Sequence, residues 1–170
     1  MPQNQEKRKR VLLVSPDYLG LYNDIYQGLV NLGYDTELII TKTINGDPFL
    51  VFNKKQVKKS KDVFFNELKE YWTAIFNSGN YSFEYDYLIA VDGTCLHPFF
   101  FEKLKSKSPN IIKINYLFDG IDNVYRFDRS FIYFDRIFTF DKSDANKYNI
   151  AHLPIYWVDC KEISHTERDV

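Results

Sequence analysis

Val11-Leu12-Leu13-Val14 is an unbroken apolar run, the pattern of a strand buried on both faces in a parallel sheet. Ser15-Pro16-Asp17-Tyr18 breaks it. Leu21, Ile25, Gly28, Leu29 and Leu32 then recur at helical spacing as far as Gly33, a good C-terminal stop. Thr36 to Thr41 (TELIIT) returns to a strand. This strand-helix-strand unit has the length of roughly 30 residues that a right-handed crossover needs.

The chain turns polar between Ile44 and Lys61, with Asn45-Gly46-Asp47-Pro48 as a turn and lysines crowding the stretch from Lys54 to Lys61. That stretch reads as a solvated loop with a basic edge. Phe64, Leu68, Tyr71, Trp72 and Ile75 form one stripe of a helix over Val63 to Phe76, which Ser78-Gly79-Asn80 ends. Tyr87 to Val91 is a third strand, and Pro98 stands where a first helical residue would, opening a helix to about Lys107. Ile111 to Phe118 gives a fourth strand. Val124, Phe127 and Phe131 suggest a short helix, and Arg136 to Phe140 a fifth strand. Asp141 can cap one or two surface turns reaching Tyr148, and Ile150 to Ile155 is a sixth extended piece broken by Pro154.

Strand and helix alternating in this way predict an α/β fold: a Rossmann-like, doubly wound, mostly parallel sheet of about six strands in a single domain. The domain is expected over residues 11–159, after a polar basic lead at 1–10 and before a polar tail or linker at 160–170.

Composition narrows the function. The 170 residues carry 22 Lys and Arg against 23 Asp and Glu, a net charge of -1 that offers no global attraction to nucleic acid. No nucleic-acid partner is expected. Aromatic residues reach 18%, which fits either a core filled by large rings or a cleft that stacks on sugars. Cys95 and Cys160 are too few and too far apart for a disulfide framework, and the apolar run after Arg10 is too short for a signal sequence or a membrane span. A cytoplasmic location follows, the inner face of the membrane included as a peripheral position.

Ligands of open parallel sheets bind outside the carboxyl ends of the strands, where loops and helix N-termini converge. That rule selects Asp17 and Tyr18 after the first strand, Asp92 and Gly93 after the third, Asp119 and Asp122 after the fourth, and Asp141 after the fifth. Each aspartate taken singly is also a common turn or cap residue. Other chemistries lack their signatures. The first loop, SPDYLG, has one glycine where a dinucleotide site needs G-x-G-x-x-G, and no phosphate-binding GxxxxGK[ST] is present. His97, His152 and His165 make no ligand spacing, and the chain contains no D-x-D metal triplet, so no metal is expected. A phosphoacceptor receiver domain would place an aspartate where Asp92 stands, but Ser15 and Pro16 occupy the place of its acidic pair.

The opening KRVLLVSPDYLGLYNDIYQGLVNLGYDTELI, the segments YDYLIAVDG and INYLFDGIDNV, and above all YFDRIFTFDKSDANKYNIAHLPIYW (Tyr133 to Trp157) carry a family resemblance. The chain resembles the N-terminal, acceptor-side domain of bacterial GT-B glycosyltransferases of the lipopolysaccharide and capsule type, relatives of the spore-maturation glycosyltransferases among them. The resemblance covers nearly the whole chain. It implies a domain that binds a saccharide or glycolipid acceptor and supplies a catalytic base, while a second GT-B domain or a partner chain binds the nucleotide-sugar donor. No cofactor is expected within this chain. Asp119 is the implied base, with Asp17, Tyr18, Asp92, Gly93, Asp122 and Asp141 as substrate contacts.

The chain stops where the donor half would begin, so by itself it is expected to be inactive, with self-association through Leu153 to Trp157. A rival class stays open: a non-catalytic Rossmann-like module that binds a saccharide or another protein. A small α/β hydrolase using Asp92 or Asp119 is a third.

Overall fold

The computed structural model describes residues 7–17, 20–41, 61–93, 95–122 and 131–155. In chain order the elements are β1 (Arg10–Pro16), α1 (Leu21–Asn31), β2 (Asp35–Thr41), α2 (Lys61–Asn77), β3 (Tyr87–Val91) and α3 (Pro98–Lys107). They continue with β4 (Ile112–Leu117), a 3-10 turn (Phe131–Tyr133), β5 (Arg136–Thr139), α4 (Lys142–Tyr148) and β6 (Ala151–His152). The six strands form one sheet in the order β2-β1-β3-β4-β5-β6, and every neighbouring pair is parallel. The expected Rossmann-like α/β sheet is therefore present.

Register sorts the side chains onto two faces. Leu12 lies opposite Leu88, and Val14 opposite both Ile39 and Ala90. With Leu68 and Trp72 of α2 and Phe100, Phe101 and Leu104 of α3, these residues form the main core. Trp72 and Phe100 sit 4.4 Å apart by ring centroid, and Phe101 stacks on Tyr133 at 4.6 Å. Large rings thus supply much of the core, as the composition allowed. The Trp72 indole N–H donates to the Cys95 carbonyl at 2.8 Å, so the ring is buried without an orphaned donor.

Right-handed crossovers put α2, α3 and α4 over this face, and only the leftward step from β1 to β2 sends a helix, α1, over the other. Val11 to Val14 are at most 1% exposed, so β1 is buried on both faces as its sequence predicts. Further along the sheet the α1 side is covered more thinly, and α1 itself buries none of its residues fully.

At the amino edge Arg10 joins the first three strands. Its guanidinium donates to Glu37 at 2.8 Å, to Ser82 at 2.9 Å and to the Glu84 carbonyl at 2.8 Å, while its amide donates to Asp86 at 2.8 Å. The Tyr85 hydroxyl donates to the other Glu37 oxygen, and burial is the main cause that holds that phenol above its ordinary range.

Several boundaries differ from the sequence reading. Lys142–Tyr148 forms the expected two turns behind the Asp141 cap, but the helix is not wholly at the surface, since it buries Asp144 and Ala145. Thr139 still accepts from the Leu153 amide at 2.9 Å, but the sixth strand keeps only Ala151–His152 before Pro154. The expected helix through Val124 and Phe127 and the basic loop at 54–60 lie outside the described residues, while Phe131 opens the 3-10 turn. No helix among the described residues is long and apolar enough to cross a membrane.

α3 starts as its sequence predicts, with Pro98 in the first turn. His97 caps it: its Nδ1 accepts from the Phe99 amide at 3.0 Å, which requires an unprotonated nitrogen. Burial first, and the Lys69 charge second, hold this imidazole below its ordinary 6.5. A folded value below the unfolded one means that the cap's stabilisation is complete above the unfolded value and is lost as pH falls through the folded one. Denaturant titrations are expected to show stability falling as pH drops below the unfolded value, by no more than a helix cap's contribution of about 1 kcal/mol. His97→Asn, a cap residue that does not titrate, removes that component of the slope.

Candidate functional site at the carboxyl edge of the sheet

Because β2 and β3 flank β1 and their crossovers pass over opposite faces, the carboxyl ends of β1 and β3 form the topological switch point of the sheet. Asp17 is exposed there, directly after β1, and β2 ends at Thr41, whose hydroxyl donates to the Ser15 carbonyl at 3.4 Å. Tyr18 lies outside the described residues.

β3 ends on two residues under tight constraint. Asp92 adopts φ +51°, left-handed backbone that costs an ordinary residue about 1 kcal/mol and that Asp tolerates better than most. Its amide donates to the Tyr116 carbonyl at 2.9 Å, and its Oδ1 accepts from the Phe118 amide at 2.6 Å. The carboxylate is buried and ties the end of β3 to the end of β4. At Gly93 the amide donates to Asn115 Oδ1 at 3.0 Å, and a Cβ would stand 2.7 Å from Cζ of Phe134. Only a glycine lets that ring, which packs edge-on against Phe101, seat beneath the loop.

The loop after β4 is held by carboxylates at successive backbone amides. Phe118 N–H donates to Asp92, Gly120 N–H to Asp119 Oδ1 at 2.8 Å, and Ile121 N–H to Asp144 Oδ2 at 2.7 Å. Asp92 and Asp144 are buried braces on either side, whereas Asp119 is exposed on the segment they fix. Asp122 is also exposed, with Lys147 Nζ at 3.5 Å, a surface pair of small energetic weight. Asp141 accepts from the Ser143 and Asp144 amides at 2.6 and 3.2 Å and so caps α4.

Those predicted residues that are described share one edge but differ in exposure and partners. Asp17, Asp119 and Asp122 present exposed carboxylates, while the described bonds of Asp92 and Asp141 go to backbone amides. Asp144 was missed. The cap-plus-brace arrangement needed the fold of α4 to become apparent.

Cys95 sits beneath this edge and is buried; desolvation, its largest cause, pushes the thiol up to about 11, so it is no nucleophile at neutral pH. Among the described residues no three of His, Cys, Asp and Glu converge in a way that would hold a metal ion. No protein-family model matches the chain, and no curated protein matches it.

Two substitutions test the constraints at β3. Asp92→Ala, which loses the acceptor and keeps a Cβ in left-handed backbone, should cost about 2–4 kcal/mol in denaturant unfolding. Asp92→Asn keeps an acceptor oxygen and should cost less than half as much. Gly93→Ala should cost about 1–3 kcal/mol through overpacking. Combined with Phe134→Leu it should cost less than the sum of the two single changes, a coupling that a double-mutant cycle reads directly.

Proposed function

We propose that this domain is the acceptor-binding half of a glycosyltransferase, moving a sugar from a nucleotide-sugar to a bacterial surface polysaccharide or lipopolysaccharide acceptor. The observation that carries the reading is Asp119: an exposed carboxylate at the carboxyl end of β4, on a loop whose neighbouring amides are fastened by Asp92 and Asp144. A general base gains from such mounting, because proton transfer requires its oxygen within hydrogen-bond reach of the hydroxyl it activates.

In the reaction, the acceptor hydroxyl attacks the anomeric carbon of the donor. The C–O bond to the sugar forms as the bond to the nucleoside diphosphate breaks, and the hydroxyl proton passes to the Asp119 carboxylate. The diphosphate leaves with the bonding electron pair and is stabilised by cationic groups or helix N-termini on a second, donor-binding domain. Asp17 and Asp122, exposed on the same edge, offer acceptors for further sugar hydroxyls. The Tyr116 hydroxyl is placed differently: it lies 3.3 Å from the Leu153 carbonyl, to which it donates. The sequence resemblance to acceptor-side domains supports the same assignment.

The isolated chain can be tested for the binding half of this reading. Oligosaccharide fragments of lipopolysaccharide core and capsule, titrated into nitrogen-15-labelled protein, should shift the amides of Asp17, Gly93, Gly120 and Asp122. Uridine diphosphate should leave those amides in place. Asp119→Asn should weaken saccharide binding about tenfold, near 1.4 kcal/mol, without changing the melting temperature. In a transferase completed by a donor domain the same change should lower kcat by about 10²–10⁴. Shifts caused by the nucleotide alone, or undiminished turnover in Asp119→Asn, would sink the assignment.

A further inference from the structure

At the amino edge, the end of the sheet away from the candidate site, a hollow of about 320 Å³ opens between the approach to β1, the turn before β3 and the end of α3. That volume lies at the small end of the range for small-molecule sites, roughly 300–1,000 Å³. Lys7, Arg8, Lys9, Arg10 and Lys107 line it, against the carboxylates of Glu84 and Asp86. The whole chain has a net charge of -1, so this excess of positive charge is local.

Two of the cations are engaged within the protein. The Arg10 guanidinium donates to Asp35, Glu37, Ser82 and the Glu84 carbonyl. Lys9 Nζ lies 2.8 Å from Asp86 Oδ1, and the Arg10 amide donates to Asp86 Oδ2 at 2.8 Å. Lys9 first, and the Arg10 amide next, hold the Asp86 carboxyl below its ordinary range, so it is ionised and its charge is met. Lys7, Arg8 and Lys107 are exposed, and no carboxylate of the described residues stands within ion-pair distance of them. Among the described residues lining the hollow, that leaves Glu84 facing three cations.

The backbone beneath these charges is fastened. The buried Ser108 hydroxyl accepts from the Tyr85 amide at 2.7 Å and donates to the Phe83 carbonyl at 2.9 Å, tying the end of α3 to the turn before β3. The Lys9 carbonyl accepts from the Asp35 amide at 2.9 Å, which extends the pairing of β1 and β2 to the residue before β1. Like charges held around one space repel, and a bound anion relieves that repulsion. Phosphate suits the set: arginine offers it a planar fork and lysine a point charge.

We infer that the amino-edge hollow binds a phosphate-bearing anion through Lys7, Arg8 and Lys107. The inference is independent of the transferase reading, whose residues lie at the carboxyl edge. Phosphate reaches such a site either on a soluble molecule or on the headgroup of an anionic lipid.

Inorganic pyrophosphate, titrated at low salt into the nitrogen-15-labelled full chain, should shift the amides of Arg8, Lys9, Glu84 and Lys107 and leave those of Gly120 and Asp122 in place. Lys7→Ala, Arg8→Ala and Lys107→Ala combined should weaken binding about tenfold or more without changing the melting temperature. Lys142→Ala, which removes an exposed lysine at the carboxyl edge, should leave binding unchanged. Vesicles of phosphatidylcholine with and without phosphatidylglycerol separate the two sources. Sedimentation with the anionic vesicles that the triple change abolishes, in the absence of pyrophosphate shifts, assigns the phosphate to a lipid headgroup. Pyrophosphate shifts that the triple change removes assign it to a soluble ligand. If neither probe binds, or if binding survives the triple change or falls as much in Lys142→Ala, the inference fails.

Discussion

Parallel neighbours cannot be joined by a tight turn, so each connection in this sheet must cross one face, and the right-handed sense of that crossing decides which face it covers. The order β2-β1-β3-β4-β5-β6 contains one step to the left and then steps only to the right. One helix therefore falls on one side and all the later crossovers on the other. The same reversal separates the loops after β1 and β3, and the polar edge of the molecule lies where they part. The aromatic core, the placement of the carboxylates and the thinly covered face all follow from this single feature of chain order.

The carboxylates at that edge show how one residue type serves two purposes. Asp92, Asp141 and Asp144 each place one oxygen on backbone amides left over at strand and helix ends, where an unmet donor costs about 1–3 kcal/mol. Asp119 completes a turn with one oxygen but stays exposed, and Asp17 and Asp122 are exposed beside it. A sequence shows all of these as aspartates after strands and gives no means of ranking them. Burial separates the braces from the exposed carboxylates, and burial depends on what packs over each loop.

Much of the fold was legible because its signals are local. The apolar run of β1, Pro98 at the start of α3, Asp141 at the start of α4 and Gly33 after α1 each act within a few residues. The misreadings came where the deciding contact is distant. Residues 142–148 look too polar for a helix that buries anything, until Asp144 meets the Ile121 amide from a different loop. Likewise the absence of metal-ligand spacing at His97 was legible, but not that its ring nitrogen closes a helix. Nor does the sequence show that Gly93 meets Phe134, 41 positions further on, whose ring stands where a Cβ would go.

The balance between the two faces bears on any activity the edge supports. A site at strand ends is only as well positioned as the strands beneath it, and those of β3 and β4 are clamped from one side by the aromatic core and at their ends by Asp92. The opposite face holds the same two strands less firmly, since Ile89 and Ile114 near their centres are only half-buried there. The position of the exposed Asp119 therefore rests on packing well away from it.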